Sequence, residues 1–504
     1  MIPRALNLSN PEDGGDTDSS QWIETRQVRP SSFSQQSVRF LLPTSGVMLA
    51  DGFVQLQVIT TNANGTPNND MFQPISTGIF SCIDSATFSI GGVQIAQTRG
   101  LGHRFTMTNK FRSQRERAQL QQVRSGVCDT MMVGEMVADG GTFFAGGVWE
   151  PDIQTGAIDP EGINGGESKV DRRISGSYKF NGTAQSPIFR VYIADLFPGL
   201  TYFNLPLELL PRGQIVINFT PDIGNGYRAL GDKSAASGNP LWIAGSRIQE
   251  NTAILHCSLA HWDDPVNTVS TMEKLAIEFE KGLKLTFTDD SYQRVNKPQV
   301  AANEADDFNT LLRLDNETVR SILVATPRAP SASDLGNNRL LGLYFSEKSK
   351  VSSSFQLSIN SAQVFPSPLD TPALQYSEFS QCFAAPCSIN SALWSYLGQT
   401  SDATSGVTDP NRSRVTNKDY QSWVFNDEIV GRFGYYGANL STTYANVNGA
   451  GTKIAPHVPV VVSISEKGGT NVASGAVPQK LVHIWCVCER VMAIQNGKVV
   501  VTGA

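Results

Sequence analysis

The sequence is short of charge, and its acidic residues outnumber its basic ones. Only 17% of the 504 residues are charged, whereas soluble domains average about 25%. The 46 acidic and 40 basic side chains give a net charge of -6 and a pI near 5.5. This balance excludes a general attraction to nucleic acid or to an anionic membrane, so any such contact must be local. The shortage of charge is typical of a protein that hides much of its surface.

Long apolar runs are also missing. The longest, such as Val458–Val462, falls far short of the about 20 residues that cross a bilayer. The start, Met1–Leu6, lacks the basic residues, apolar core and small-residue cleavage site of a secretion signal. We therefore expect no transmembrane segment, and synthesis and folding in a cytosol.

Cysteine is scarce and follows no disulfide pattern. Seven cysteines, an odd number without regular spacing, argue against a disulfide framework. Cys486 and Cys488 alternate in an apolar run, which places both thiols on one face of a strand. Without a second cysteine pair or a nearby histidine pair, buried structural thiols are favoured over a metal site.

The sequence carries none of the common catalytic motifs. The sequence contains no Gly-x-Ser-x-Gly elbow, no His-Glu-x-x-His helix, no phosphate-binding loop and no Gly-x-Gly-x-x-Gly after a strand. Five histidines are scattered, and His256 and His261, five apart on one predicted strand, fall on opposite faces. Asp159, Glu161 and Glu167 could hold Ca²⁺, but their spacing matches no EF-hand. We expect no enzyme, no cofactor and no metal site.

Turn residues and a period of two are abundant. The chain has 44 glycines and 26 prolines, and apolar residues alternate with polar ones in many short runs, as in Val54, Leu56 and Val58. Gly91-Gly92 and Asn496-Gly497 separate apolar runs and predict two-residue hairpin turns. The pattern predicts an all-β protein with two similar sets of antiparallel strands, long inter-strand loops and a few short helices, which fits two sandwiches or two jelly rolls in tandem.

Changes in composition predict the domain boundaries. Residues 1–34 are polar and aperiodic and are expected to form an N-terminal arm. The first jelly roll is expected over 35–221, with a Gly-rich acidic loop inserted at about 127–171. A Ser/Gly/Asn-rich linker is predicted at 222–250, and the second jelly roll at 251–504.

The segment Arg99–Arg124 carries the one concentration of positive charge. It has seven basic residues and one acidic residue, and part of it is a strong helix-forming run. The candidate interaction residues are Arg112, Arg115 and Arg117. They could contact a neighbouring subunit or a nucleic-acid backbone, or they could form a solvated face.

Two blocks of sequence resemble a known family. Tyr192–Pro221 runs through Leu-Phe-Pro and Leu-Pro into an alternating strand, and Phe355–Cys382 carries Asn360, then Pro-Ser-Pro, then Tyr376-Ser377-Glu378-Phe379. They resemble segments of double jelly-roll major capsid proteins of polinton-like viruses and virophages, with adenovirus hexon and the capsid proteins of large algal viruses more distant.

This resemblance implies two tandem eight-stranded antiparallel jelly rolls and a structural function. Three chains would form a pseudo-hexameric capsomer that tiles an icosahedral shell in the virion, assembled inside the host cell. Neighbouring capsomers, penton and minor capsid proteins would be partners, and the 127–171 and 399–457 loops would be tower or inter-subunit loops. The alternative is a double jelly-roll carbohydrate-binding spike or a glycan-processing protein, which requires paired carboxylates or exposed aromatic residues in a groove.

Overall fold

The computed structural model describes most of the strand framework. The described residues are 21–49, 51–59, 71–74, 77–110, 177–180, 185–200, 204–220, 228–230, 242–243, 247–262, 277, 284–301, 304–327, 352–383, 435–441, 451–467, 479–495 and 498–503. The predicted loop at 127–171, including Asp159, Glu161 and Glu167, lies outside them.

Short strands make up more than half of the described structure, as the period of two predicts. Those up to residue 262 are β1 (Gln21–Val28), β2 (Ser32–Phe33), β3 (Ser37–Leu41), β4 (Val47–Met48), β5 (Phe53–Leu56), β6 (Val58–Ile59), β7 (Met71–Pro74), β8 (Ile83–Ile90), β9 (Val93–Arg99), β10 (Ser177–Phe180), β11 (Phe189–Tyr192), β12 (Leu205–Pro206), β13 (Gly213–Phe219), β14 (Arg228–Leu230), β15 (Trp242–Ile243), β16 (Arg247–Ile248) and β17 (Ile254–Trp262).

The remaining strands are longer on average. They are β18 (Lys284–Lys297), β19 (Ala305–Leu312), β20 (Thr318–Ala325), β21 (Ser352–Ile359), β22 (Ala362–Gln363), β23 (Tyr435–Asn439), β24 (Thr452–Lys453), β25 (Val460–Lys467), β26 (Lys480–Gln495) and β27 (Lys498–Gly503). The described α-helices are α1 (Leu101–Lys110), α2 (Ile193–Leu196) and α3 (Pro372–Gln381), and 3-10 turns lie at Gly78–Cys82, Pro198–Leu200, Leu207–Leu209 and Glu250–Thr252.

The first half is a jelly roll, which can be described as one long antiparallel hairpin wrapped into two sheets. In one sheet β1 pairs with β17, and β17 pairs with both β4 and β5. On their other side, β4 pairs with β12 and β5 pairs with β11. The other has the order β3-β13-β8-β9, with β2 at its edge. If β4 with β5 and β11 with β12 each count as one interrupted strand, the eight strands pair first with eighth, second with seventh, third with sixth and fourth with fifth.

The second half repeats this order. Its sheets are β18-β26-β20-β23 and β19-β25-β21-β22, so its first strand again pairs with its eighth and its second with its seventh. All the pairings are antiparallel. The prediction of two tandem antiparallel jelly rolls is therefore confirmed.

Each roll has its own apolar core between its two sheets. In the first roll Phe40, Val54 and Ile215 are fully buried, and in the second Phe355, Val462 and Ile484 are. The alternation on β13 and β25, with every second residue buried, shows how the period of two in the sequence produces these cores.

The structure corrects the predicted boundaries at two strands. Residues 21–28, predicted to be part of the polar arm, form β1, and residues 254–262, predicted to open the second roll, form β17. The two strands pair with each other along their whole length, from Gln21 with Trp262 to Val28 with Leu255. Residues 222–250 therefore connect the seventh and eighth strands of the first roll and are not a linker between rolls. The strands of the first roll lie between residues 21 and 262, and those of the second between 284 and 503.

Local predictions agree closely with the structure. Gly91 and Gly92 have φ of +58° and +82° between β8 and β9, as a tight hairpin turn requires. Gln495 pairs with Lys498, which confirms the hairpin around Asn496-Gly497. Cys486 and Cys488 are buried and unbridged, and burial raises the pKa of the Cys488 thiol to about 12.

Candidate functional site: the junction between the two jelly rolls

The two rolls pack side by side through a buried junction. From the first roll it includes β9, α1 and the turn Pro198–Leu200, and from the second it includes β18, β26 and β27. The apolar core of the first roll continues across it, because Leu285, Phe287, Met492 and Val499 of the second roll belong to the same buried cluster. Burial of this kind, at about 25 cal/mol per Å² of apolar surface, favours one fixed arrangement of the rolls.

Gly100 directs α1 into the junction. Its φ of +61° lies in the left-handed region, where glycine is favoured. A Cβ at this position would lie 3.2 Å from atoms of His483, Trp485 and Tyr292. The chain therefore turns from β9 into α1 directly against the second roll, at a point where a larger residue would separate the two surfaces.

A buried ion pair joins α1 to β18. The Nε of Arg104 donates to Oδ2 of Asp290 over 2.8 Å, and the two side chains are only 7% and 6% exposed. Arg104 also donates from Nη1 to the hydroxyl of Thr108, 2.8 Å away. Each charge is stabilised by the other in a site that water barely reaches, so loss of either one would leave a buried charge uncompensated.

Two further hydrogen bonds cross the junction. The backbone N–H of Gln97 donates to Oδ1 of Asp289 over 2.9 Å, and Nε1 of Trp485 donates to the carbonyl of Arg99 over 2.8 Å. Burial raises the pKa of Asp289 to about 7, although the Gln97 amide opposes this, and the neighbouring Asp290 adds to it. Asp289 is thus the junction carboxyl whose protonation changes near neutral pH.

An aromatic group fills the space beneath α1. The hydroxyl of Tyr292 and Nδ1 of His483 share a hydrogen bond of 2.8 Å. The ring of His483 stacks on that of Trp485, with ring centroids 5.6 Å apart. Burial, followed by His103 and Arg294, lowers the pKa of His483 well below its usual range. The imidazole is therefore neutral and acts as a packing and hydrogen-bonding group.

The turn after α2 brings the backbones of the two rolls close together. A Cβ on Gly199 would lie 1.7 Å from the carbonyl oxygen of Thr288 in β18. Only glycine allows this separation without a shift of one roll against the other. Gly199 belongs to the Leu-Phe-Pro-Gly-Leu block that carried the family resemblance, so part of that block is used at the junction.

Two helices cover the outer face of the β18-β26-β20-β23 sheet. Met107 of α1 and Phe379 of α3 pack against Leu323, Tyr435 and Trp485 in one cluster, and each of these five side chains is at most 1% exposed. The ring of Phe379 stacks on that of Tyr435 with centroids 5.7 Å apart. The sheet is therefore buried on both faces, with one of its covering helices contributed by the other roll.

The chemistry of the junction is that of packing. Arg104 and Asp290 are paired and His483 is neutral, and the described ranges contain no group of three or more His, Cys, Asp or Glu side chains that could hold a metal ion. Within those same ranges, no helix is long and apolar enough to cross a membrane. The junction holds the two similar barrels in a fixed relative position.

The basic segment Arg99–Arg124 contains both the predicted interaction residues and a residue of the junction, at different positions. Arg112, Arg115 and Arg117 lie outside the described residues, so their roles stay a prediction. Arg104, from the same segment, binds Asp290 within the chain. The sequence contains one feature that could have predicted the junction, the nearly unbroken apolar run around His483–Cys488. Such a run is typical of a strand that is buried on both faces.

The histidines of β17 are separated as predicted. His256 stacks on Phe53 on the outer face of its sheet, with ring centroids 4.5 Å apart. His261 lies toward the other face, with Nε2 at 3.2 Å from Oε2 of Glu24.

A protein with two jelly rolls of identical strand order, joined rigidly side by side, has the double jelly-roll fold. Solved viral proteins share it over nearly their whole length. The VP54 protein of the virus PBCV-1 aligns with a TM-score of 0.55 and 11% identity, covering 96% of this chain and 97% of VP54. A chain of the Sputnik virophage aligns with a TM-score of 0.53 and 11% identity, covering 100% of this chain and 93% of its own.

The Faustovirus major capsid protein aligns with a TM-score of 0.51 and 10% identity, covering 97% of this chain and 92% of its own. No protein-family model and no curated protein sequence matches the chain. The resemblance seen in the sequence is thus confirmed for the fold.

Proposed function

We propose that this chain is a viral major capsid protein, a non-enzymatic structural subunit of the virion. The observation that carries the proposal is the junction: two jelly rolls with the same strand order are fixed side by side by buried ionic, aromatic and backbone contacts. A rigid pair of equivalent barrels is suited to building a shell, because each chain presents two similar blocks to its neighbours. The end-to-end likeness to the Faustovirus major capsid protein supports the same function.

The assembly is a homotrimer with a pseudo-hexameric outline, and trimers tile an icosahedral shell. Three chains with two barrels each supply six similar blocks, and a ring formed by one repeated heterologous contact closes without exposed ends. Neighbouring capsomers, penton proteins and minor capsid proteins are the partners. A local nucleic-acid contact could come from Arg112, Arg115 and Arg117.

The carbohydrate-binding or glycan-processing alternative is less well supported. The structural relatives named as capsid components in their descriptions include the Faustovirus protein, and they cover this chain from end to end. The buried ion pair of Arg104 with Asp290 holds the two rolls together, and that of Lys480 with Glu466 lies inside the second roll. A glycan-binding protein would instead present such groups in an open groove.

Mass measurement and imaging of the purified chain test the proposal. Size-exclusion chromatography with light scattering is expected to show a trimer of the 54.6 kDa chain. Negative-stain electron microscopy is expected to show six-lobed particles that form sheets or shells at high protein concentration. A chain that stays monomeric at all concentrations, or that binds glycans as a monomer, would overturn the proposal.

A further inference from the structure

Two histidines, one from each roll, meet at the junction. His103 lies on α1, which the first roll contributes, and His483 lies on β26 of the second roll. Their ring centroids are 4.4 Å apart, and the ring planes are tilted by 40°. Because this contact joins the two rolls directly, a change in the charge of either ring acts on the junction.

The space around His483 is full. The residue is only 4% exposed, and a Cβ on Gly100 would lie 3.2 Å from its Nδ1. Nδ1 shares a hydrogen bond with the Tyr292 hydroxyl, whereas Nε2 has no hydrogen-bond partner among the described residues. A protonated imidazole has two N–H donors, so protonation of His483 places a charge and an N–H without an acceptor in a buried site. Such burial is costly.

The charges that act on His483 are positive. Arg294 on β18 lies directly opposite His483 in the strand register, and like charges in this position repel each other. The ring of His103 approaches from the side of α1. After burial itself, His103 and Arg294 are the groups that lower the pKa of His483. Protonation of one histidine therefore disfavours protonation of the other.

The carboxylates of the surrounding elements are occupied elsewhere. Asp290 on β18 is bound in the ion pair with α1, and Asp289 accepts a backbone N–H from β9. Glu378 is the one charged residue in the sequence of α3, and its charge acts on the nearby cysteine of that helix end. Asp84 on β8 is exposed, where water screens its charge. On β20, the residue beside His483 is the uncharged Ala325.

Both rings are therefore neutral in the folded protein, even in mild acid. Burial lowers the pKa of His103 to about 3 and that of His483 well below the ordinary value of 6.5. In an opened or unfolded chain the rings regain the ordinary value, so that form takes up protons first as the pH falls. The stabilisation is thus complete above pH 6.5 and is lost as pH falls from 6.5 toward 3.

We propose that His103 and His483 form an acid-sensitive latch between the two rolls, which releases α1 from the second roll when the surroundings become acidic. This rests on the proposed capsid function and adds regulation to it, because a shell built from such chains would loosen in an acidic compartment. Clustered histidines that gain protons at about pH 5–6 change interfaces in other proteins by the same physical mechanism. At neutral pH the Arg104–Asp290 pair keeps α1 in place.

Asp289 acts on the same junction in the opposite direction. Because its folded-state pKa is about 7, the folded protein gains this proton more readily than the unfolded chain does. The acid response of the wild type is therefore the difference between the two histidines and this carboxyl. Asp289→Asn removes the carboxyl, so that the histidines can be measured alone.

Hydrogen exchange of the full-length chain in the Asp289→Asn background tests the latch. Mass spectrometry follows exchange at pH 7 and pH 5 in peptides from α1 and β26, with labelling times scaled for the intrinsic exchange rate. Peptides from β25, in the core of the second roll, report unfolding of that roll as a whole. The variants are His103→Gln, His483→Asn and the two combined. Asparagine keeps a polar atom that can bond to Tyr292.

The matched control is His457→Asn. His457 is exposed and lies outside the junction, so folding does not hide its ring from water. Its φ of +62° is one that asparagine adopts more readily than most residues. This variant removes a histidine without changing the latch.

The opening constant of α1 is expected to rise between pH 7 and pH 5 by about 25-fold for each histidine, from an ordinary pKa of 6.5 in the open form and a much lower one in the closed form. Both together give a rise of about 600-fold, and each single variant should keep about 25-fold. The double variant should show little change, and His457→Asn should match its parent.

A second measurement needs no substitution, in case the histidine variants do not fold. The Cε1–H of each histidine exchanges slowly with deuterium at a rate that depends on ring protonation, and mass spectrometry of the wild type resolves it for each peptide. His103 and His483 should show no titration above pH 5 in the folded chain. Titration of both rings above pH 6 would overturn the latch.

The outcomes separate the latch from the proposed function. A chain that shows the acid response but never forms trimers contradicts the proposed function alone. A chain that forms trimers, while its double histidine variant keeps the full acid response, overturns the latch alone. An equal rise of exchange in the β25 peptides would also overturn it, because acid would then unfold the whole second roll instead of opening the junction.

Discussion

Arg104 in the helix that follows the fifth strand of the first roll lies 2.8 Å from Asp290 in the first strand of the second. This pair joins the two rolls at a position that water barely reaches. The neighbouring contacts of Gly100, Trp485 and Asp289 surround it. A few residues therefore fix the position of one roll against the other, and the effects of substituting them can be predicted.

Removal of the Arg104 guanidinium should destabilise the protein strongly. Arg104→Ala leaves the Asp290 carboxylate buried and unpaired, and we expect a loss of about 3–5 kcal/mol in the free energy of unfolding. Urea denaturation followed by tryptophan fluorescence measures it. The control is Arg26→Ala, because the Arg26–Glu24 pair is 42% and 30% exposed and such pairs contribute about 0–1 kcal/mol. Equal losses in the two variants would contradict a buried, coupled pair.

Asp289 should make stability depend on pH. Its folded-state pKa is about 7 against an ordinary value of 3.8, so the folded protein holds a proton that the unfolded chain has released. The stabilisation is complete below the ordinary value and is lost as pH rises toward 7, with a slope of up to about 1.4 kcal/mol per pH unit.

Asp289→Asn should remove this slope, because the amide oxygen can still accept the Gln97 hydrogen bond without a charge. Melting temperatures between pH 4 and about 8, with Asp307→Asn as the exposed control, give the comparison. An Asp289→Asn profile with the wild-type slope would show that another group is responsible.

Gly199 should not tolerate a side chain. Alanine at this position would place its Cβ 1.7 Å from the Thr288 carbonyl oxygen, so the rolls must shift apart, at a cost of about 1–3 kcal/mol or more. Gly92→Asn is the control, since nothing lies within 4 Å of that position and asparagine tolerates its positive φ. Thermal unfolding distinguishes them, and a melting temperature for Gly199→Ala equal to that of the wild type would contradict the close approach.

Reversal of charge in the basic segment should impair assembly. Arg112→Glu, Arg115→Glu and Arg117→Glu together replace three positive charges with three negative ones, which disfavours contact with an acidic neighbour or a phosphate backbone. The yield of assembled particles by sedimentation measures the effect. Lysine at the same three positions keeps the charge and should preserve the yield. A glutamate triple variant that assembles at the wild-type yield would show that these arginines form a solvated face.

Local sequence signals predicted local structure well. The Gly91-Gly92 turn and the pairing of Gln495 with Lys498 depend on residues that are close in the chain. The alternation in β13 and β25 likewise identified core strands, because the period of two is written directly in the sequence.

Long-range pairing was the part that the sequence did not predict. The polar, aperiodic sequence of β1 predicts an arm, because the charged Glu24 and Arg26 occupy inward-facing positions while Ile23 faces outward, which is the reverse of the usual pattern. Its partner β17 lies at the far end of the first roll, so no local signal links the two. The junction residues Arg104 and Asp290 are likewise 186 positions apart.

The pairing of β1 with β17 also has a consequence for biosynthesis. The first roll is closed by its earliest and latest strands, so the ribosome must deliver residue 262 before residues 21–28 can be paired. At about 5–20 residues per second, the nascent β1 waits for more than ten seconds with an unpaired edge. The polar side chains that hid this strand from sequence-based prediction are the kind that keep such an edge soluble on the ribosome.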